Sequence, residues 1–219
     1  MSHIKEVAAE LFGTALLLMI VVGSGIMGEQ LAAGNAAVAL LGNSIATGAG
    51  LYVLISVLGP ISGAHFNPVV TLMFWRSGQV SASVAARFIP AQLIGGILGV
   101  WVTHAMFALP IIQASTKVRT GPAQWLSELI ATLILLLTIY LGVKRTPEKV
   151  PMMVALIVTA GYWFTASTFF ANPAVTVARS FSDTFAGIAP GHVVGFVLAQ
   201  MVAVLCLFVV LRLDKATAS

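Results

Sequence analysis

The sequence is poor in charge: of its 219 residues only 8% are Asp, Glu, Lys or Arg, where a soluble domain carries about a quarter. A surface able to meet water on all sides is excluded, and with it a soluble enzyme. Cysteine is almost missing too. The single Cys206, set in "VLCLFVVL", excludes an intrachain disulfide and a thiolate metal site. The four histidines, His3, His65, His104 and His192, are dispersed and have no metal-ligand spacing. The basic residues form no single patch, so the net charge of +4 speaks of membrane orientation and not of nucleic acid. No metal, no cofactor and no nucleic-acid partner are expected. No signal-like cleavage site follows the first apolar run, which is also too long for a cleaved signal.

What the chain has is apolar sequence: 59% of its residues, with a mean hydropathy of +1.02. Six stretches, about 7–27, 36–58, 85–107, 124–143, 151–168 and 191–211, are long enough to cross a bilayer core of about 30 Å. Between them lie turn and charge signals such as "GEQLAAGN", "ASTKVRTGP" and "KRTPEK". Two further apolar pieces, 67–77 and 172–182, amount to about 16 Å of helix each, half a bilayer. The expected fold is an all-α membrane protein of six transmembrane helices plus two half-spanning re-entrant helices.

The chain also repeats itself. "AHFNPVVTL" and "FFANPAVTV" align at Asn67 and Asn172, sharing N-P-x-V-T. "AELFGTALLL" around Glu10 aligns with "SELIATLILL" around Glu128, and Gln92 pairs more weakly with Gln200. Residues 1–113 and 114–219 therefore read as two copies of three spans and one half-span. Three is odd, so the second copy is inserted upside down, an inverted 3+3 repeat of the kind common in transport folds. With both termini cytoplasmic, Lys5, Arg76, Arg87, Lys144, Arg145, Lys149, Arg212 and Lys215 fall inside, against Lys117, Arg119 and Arg179 outside. The positive-inside rule favours that orientation.

Half-length helices leave orphan N–H groups at membrane depth. Asn is a preferred N-cap and Pro is favoured at the first helical position. Asn67-Pro68-Val69 and Asn172-Pro173-Ala174 thus read as two helix starts that the inverted repeat brings together near the midplane. Two positive helix ends and two Asn donors facing one lumen suit an oxygen acceptor and repel cations. No group there performs chemistry, so the reading is a passive pore for neutral solutes.

These motifs make the chain resemble the aquaporin (major intrinsic protein) family over essentially its whole length. Two such motifs in inverted repeats are specific. The resemblance implies a channel for water and small neutral solutes, a homotetramer with a pore in each subunit, and a multi-pass protein of a bacterial inner membrane. Glu10 and Glu128 are buried carboxylates with two readings: proton-coupling groups of a secondary transporter, or acceptors for loop backbone beside each half-helix. The resemblance supports the second. His65 lies in the approach to the pore, either conferring pH sensitivity or holding the loop. Gly95 and Gly99 form a small-xxx-small pair for close helix packing.

The chain departs from the family at the outer constriction. Three residues after the second Asn most members carry arginine; here stands Val175. Carried over by spacing, the other constriction positions are Thr47, Ala160 (or Gly161) and Phe169. This set implies a wider filter without its fixed cation and with weaker selection among polyols. It resembles a bacterial branch associated with arsenic resistance, so glycerol-type solutes and neutral arsenite are expected; a strictly water-selective channel is the alternative. Val69 replaces the usual alanine of the first motif. Arg179, one turn beyond Val175, either reaches the outer vestibule, snorkels to the interface or pairs with Asp183.

Overall fold

In a computed structural model, residues 3–217 are described, with side chains described as far as Val209. Arg212 and Lys215, counted above for orientation, lie outside the described side chains. Eight α-helices follow one another: α1 (Ile4–Leu31), α2 (Ala36–Ser62), α3 (Pro68–Arg76), α4 (Ala82–Met106), α5 (Pro122–Arg145), α6 (Val150–Phe164), α7 (Pro173–Arg179) and α8 (Val193–Thr217). No strand occurs among the described residues.

Local chemistry sets the helix ends. Asn35 caps α2 by accepting from the N–H groups of Ala37 and Val38, and Ser81 caps α4 by accepting from Val84. Pro122 occupies the first position of α5, where its missing N–H costs nothing. Gly63 ends α2 in the left-handed region at φ 87°, the usual C-terminal use of glycine.

Five helices are long and apolar enough to cross a membrane: α1, α2, α4, α5 and α8. The expected fifth span is shorter than the sequence suggested. Helix α6 has 15 residues and stops at Phe164, because Thr165 turns extended and the next residues enter a re-entrant loop. A 3-10 turn, Pro147–Lys149, leads into it. The second half-helix also ends early, at Arg179 and not at 182. Ser180 closes it, and the Arg179 carbonyl then accepts from the Ser182 and Ile188 N–H groups as the chain folds back.

Helix α1 packs against α4 and α2, α2 against α6, and α5 against α8. At the α1–α4 crossing a Cβ on Gly95 or Gly99 would meet the carbonyl oxygens of Leu11 or Ala15, so that contact requires glycine. The outside of the bundle is greasy. Phe12, Val57, Leu156 and Leu205 are all exposed there, as is Cys206, an arrangement suited to lipid and unsuited to water. The loop 107–121 folds over one end of the bundle and is stitched to segment 180–192. Ser115 N–H donates to Ser180, Ala189 N–H to Lys117, and Thr116 gives its N–H and hydroxyl to Asp183 at 2.8 and 2.9 Å.

Candidate functional site

Two short loops descend into the bundle ahead of α3 and α7, and their backbones match position by position. φ is positive at Gly63, Ala64 and Phe66 in the first, and at Thr168, Phe169 and Ala171 in the second. Five of these six are not glycine, and each such conformation costs about 1–2 kcal/mol. What holds them is a buried carboxylate on a long helix. Glu10 accepts from the His65 and Phe66 N–H groups at 2.9 and 2.7 Å and from the Ser62 hydroxyl at 2.6 Å. Glu128 accepts from the Phe170 and Ala171 N–H groups at 3.0 and 2.9 Å. Both carboxylates are wholly buried, and neither lines the lumen.

The weak Gln92–Gln200 pairing of the sequence becomes a matched pair of links. Gln92 Nε2 donates to Glu10 (2.7 Å) and to Thr71 Oγ1 (2.9 Å), and Thr71 donates to the Asn67 carbonyl. Gln200 Nε2 donates to Glu128 (2.7 Å) and Thr176 (2.9 Å), and Thr176 donates to the Asn172 carbonyl. Each chain of bonds runs from carboxylate to asparagine.

The asparagines cap their helices. Asn67 Oδ1 accepts from Val69 N–H at 3.1 Å; Asn172 Oδ1 accepts from Ala174 and Val175 at 2.9 and 3.3 Å. Their amides also cross between the halves, Asn67 Nδ2 to the Ala171 carbonyl and Asn172 Nδ2 to the Phe66 carbonyl, both at 2.8 Å. An amide has two N–H groups, so each Asn keeps one for the lumen that both residues line. Pro68 and Pro173 occupy the first helical positions, and Val69 and Ala174 are buried behind the asparagines, off the lumen wall.

That lumen is a cavity of about 120 Å³. One wall is aliphatic, from Leu17, Val21, Leu51, Leu135, Ile139 and the valines of α6. The other carries the two loops and the asparagines. His65 lines it with its ring stacked on Phe74 at 4.6 Å, and its Nδ1 lies 3.1 Å from the Thr71 hydroxyl.

Thr47, Phe169 and Val175 line the lumen; Ala160 does not. It is exposed on the outside of the bundle. The reason is helical phase. Val150, Val154, Val158 and Tyr162 line the cavity at i, i+4, i+8 and i+12, so a residue half a turn from Tyr162 points away. Gly161 is no substitute, since it accommodates the Phe169 ring where a Cβ would collide. A count back from Asn172 passes through the non-helical segment after Phe164 and so does not fix the phase of α6. Tyr162, which the sequence reading missed, lines the lumen instead. Its hydroxyl lies 3.2 Å from Thr47 Oγ1 across the mouth. A count of the valine stripe on α6 would have found it.

Arg179 neither snorkels out nor pairs with Asp183, whose carboxylate is held by Thr116. Those two hydrogen bonds keep the exposed Asp183 carboxyl below its usual range. Arg179 is buried and lines the lumen, with Nε donating to the Ala186 carbonyl and its guanidinium carbon 3.5 Å from the Phe170 ring centroid. Helical side chains lean toward the N-terminus, so on α7 this one reaches back along the pore. The first half does the same. Phe74 and Arg179 both stand seven residues after their Asn, and His65 and Phe170 both stand two before, so the stack of one pair answers the other.

A second cation, half-buried, comes from the loop 107–121. Arg119 Nε donates to the Gly187 carbonyl at 2.9 Å, one terminal nitrogen reaches Thr168 Oγ1 at 3.4 Å, and the guanidinium lies 5.2 Å from the centre of the same Phe170 ring. Burial lowers its pKa from the usual value. The site offers convergent donors, two helix N-termini and an apolar wall. No group of three or more His, Cys, Asp or Glu able to hold a metal occurs among the described residues.

The family model for Major intrinsic protein matches residues 1–168. The chain is similar to the Aquaglyceroporin AqpS of Rhizobium meliloti (strain 1021), 51% identical over 208 residues that cover 95% of this chain and 89% of that protein. It is 28% identical to Aquaporin-5 of Rattus norvegicus over 225 residues, 96% of this chain and 82% of the relative. The X-ray structure of the aquaglyceroporin from Plasmodium falciparum superposes with a TM-score of 0.68 at 22% identity, covering 80% of this chain and 79% of that one. That likeness is one of fold.

Proposed function

We infer the function from the premise that this chain belongs to the major intrinsic protein family. It is a multi-pass membrane channel for water and small solutes, and not an enzyme. The observation that carries the reading is the lumen centre. Asn67 and Asn172 each hold the opposite half by one N–H and keep the other for the pore, at the start of two opposed half-helices. A permeating oxygen accepts from both, while cations meet two positive helix ends.

The solutes proposed are glycerol-type polyols and neutral metalloid acids such as arsenite. The similarity to a protein named an aquaglyceroporin supports the first. The outer mouth supports both, because its two sides differ. Thr47, Tyr162 and Arg179 offer hydroxyls and guanidinium donors; Phe169 and Val175 offer an apolar face. A small triol presents the same two sides. With Tyr162 in the ring, and not Ala160, the mouth is narrower and better supplied with donors than spacing suggested, so selection among polyols should be sharper. Stopped-flow light scattering on proteoliposomes with water, glycerol, urea and arsenite tests this. Val175→Arg is expected to cut the larger solutes far more than water; an unchanged ratio places the constriction elsewhere.

The rival of another class, a proton-coupled transporter using Glu10 and Glu128, is disfavoured by their position. Both carboxylates are saturated with loop donors and lie off the lumen. Accumulation of solute driven by a pH gradient would revive it. We further read 1–113 and 114–219 as inverted repeats, the protein as a homotetramer, and both termini as cytoplasmic in a bacterial inner membrane. The matched bond chains support the repeat, the exposed apolar faces support subunit or lipid contacts, and the lysine and arginine distribution supports the orientation.

A further inference from the structure

We propose that Arg119, carried by the loop between the two halves, is a second fixed cation of the outer mouth and a specificity-determining residue against cations. Three observations carry it. The loop is held and not loose: the Ser115–Ser180 and Lys117–Ala189 backbone bonds and the Thr116–Asp183 pair tie it to segment 180–192. Arg119 itself is clamped at both ends, its backbone N–H donating to His192 Nδ1 at 3.3 Å and its Nε to the Gly187 carbonyl. Its guanidinium then stands beside the Phe170 ring that Arg179 also covers, and that ring lines the lumen.

Arg119 does not line the lumen directly, so it acts by its charge through one ring and not by contact with the solute. No salt bridge to Arg119 or Arg179 occurs among the described residues, so neither charge is cancelled by an ion pair there. Glu128 is a carboxylate that acts electrostatically on both, and its oxygens accept from the Phe170 and Ala171 N–H groups. Two guanidinium groups sharing one aromatic ring raise the potential at the mouth more than one does. A cation of solute size therefore meets a barrier that a neutral molecule does not. This accounts for how the position at Val175 can do without its usual arginine: charge is supplied from one turn along α7 and from the connecting loop.

The inference rests on the channel reading, and the test separates the two. Proteoliposomes carrying the full chain are assayed for influx of methylammonium and of urea, a neutral molecule of similar size. Arg119→Gln is expected to raise methylammonium influx relative to urea about tenfold. Arg119→Lys, which keeps the charge and loses the fork, is expected to stay near the unaltered channel, and Arg119→Gln with Arg179→Gln to exceed either single change. If the unaltered protein passes neither glycerol nor urea, the channel reading fails. If urea passes and Arg119→Gln leaves the ratio unchanged, or Arg119→Lys leaks as much as Arg119→Gln, the charge role is overturned. Should Arg119→Gln fail to insert, the Lys variant decides: a leak with the charge retained contradicts the proposal, and preserved exclusion supports it.

Discussion

The two halves of the pore share one scaffold and differ in what that scaffold presents. Carboxylate, glutamine, threonine and asparagine recur with matching bonds: Glu10, Gln92, Thr71 and Asn67 on one side, Glu128, Gln200, Thr176 and Asn172 on the other. Even the strained backbone positions correspond. Contents diverge in the aromatic stack beside each asparagine. The first half stacks His65 on Phe74 and the second stacks Arg179 on Phe170. The difference teaches that positioning the asparagines and selecting the solute are separate tasks, done by separate residues. The first set of bonds recurs on both sides, and the stacked pair beside it differs.

The comparison breaks most completely at the carboxylates. Glu10→Ala or Glu128→Ala strands two loop N–H groups at membrane depth and should cost about 3–5 kcal/mol. Thermal unfolding in detergent should fall by the same amount for both; a large loss from one alone would end the equivalence. Next come the glycines under the two aromatic rings. Gly13→Ala collides with Phe66 and Gly161→Ala with Phe169, each an overpacking of about 1–3 kcal/mol. Only Gly161→Ala should also alter the glycerol-to-water ratio, since the Phe169 ring belongs to the mouth.

A subtler change makes the outer half chemically like the inner one. Arg179→Phe keeps an aromatic stack on Phe170, so stability should move by about 1 kcal/mol or less. Methylammonium exclusion should weaken while glycerol still passes. The smallest effect belongs to the glutamines. In each, Oε1 is buried without a partner, so Gln92→Leu or Gln200→Leu loses donor bonds but removes an unmet acceptor. A net cost of about 1 kcal/mol per site is expected, read by the same unfolding assay.

Much of the scaffold was legible in the chain. Asn-Pro at the head of an 11-residue apolar piece states a capped half-helix in local terms, and the paired "AELFGT" and "SELIAT" starts locate both carboxylates. These features are local or repeated, so one sequence suffices to see them. The mouth was less legible because it depends on phase and reach. Ala160 was placed by counting back from Asn172 through a loop, and the two residues from Ala160 to Tyr162 turn a side chain by about 200° on a helix. Three placements stay open for Arg179 in the sequence, because a count of positions along a helix does not tell how far a long side chain leaning toward the N-terminus reaches. Arg119 lies more than 45 residues from the nearest residue it touches at the mouth, Thr168, and no local pattern announces such a contact. Aligning the two motifs further, to the seventh residue after each Asn, would have paired Arg179 with Phe74.

Which face of α6 borders the solute decides what closes the mouth. The direct measurement is the glycerol-to-water permeability ratio in proteoliposomes for Tyr162→Ala and Ala160→Leu. A mouth closed by Tyr162 predicts a clear rise in that ratio for Tyr162→Ala and no change for Ala160→Leu, whose side chain lies outside the bundle. A fall in glycerol flux from Ala160→Leu, with Tyr162→Ala unchanged, would contradict it.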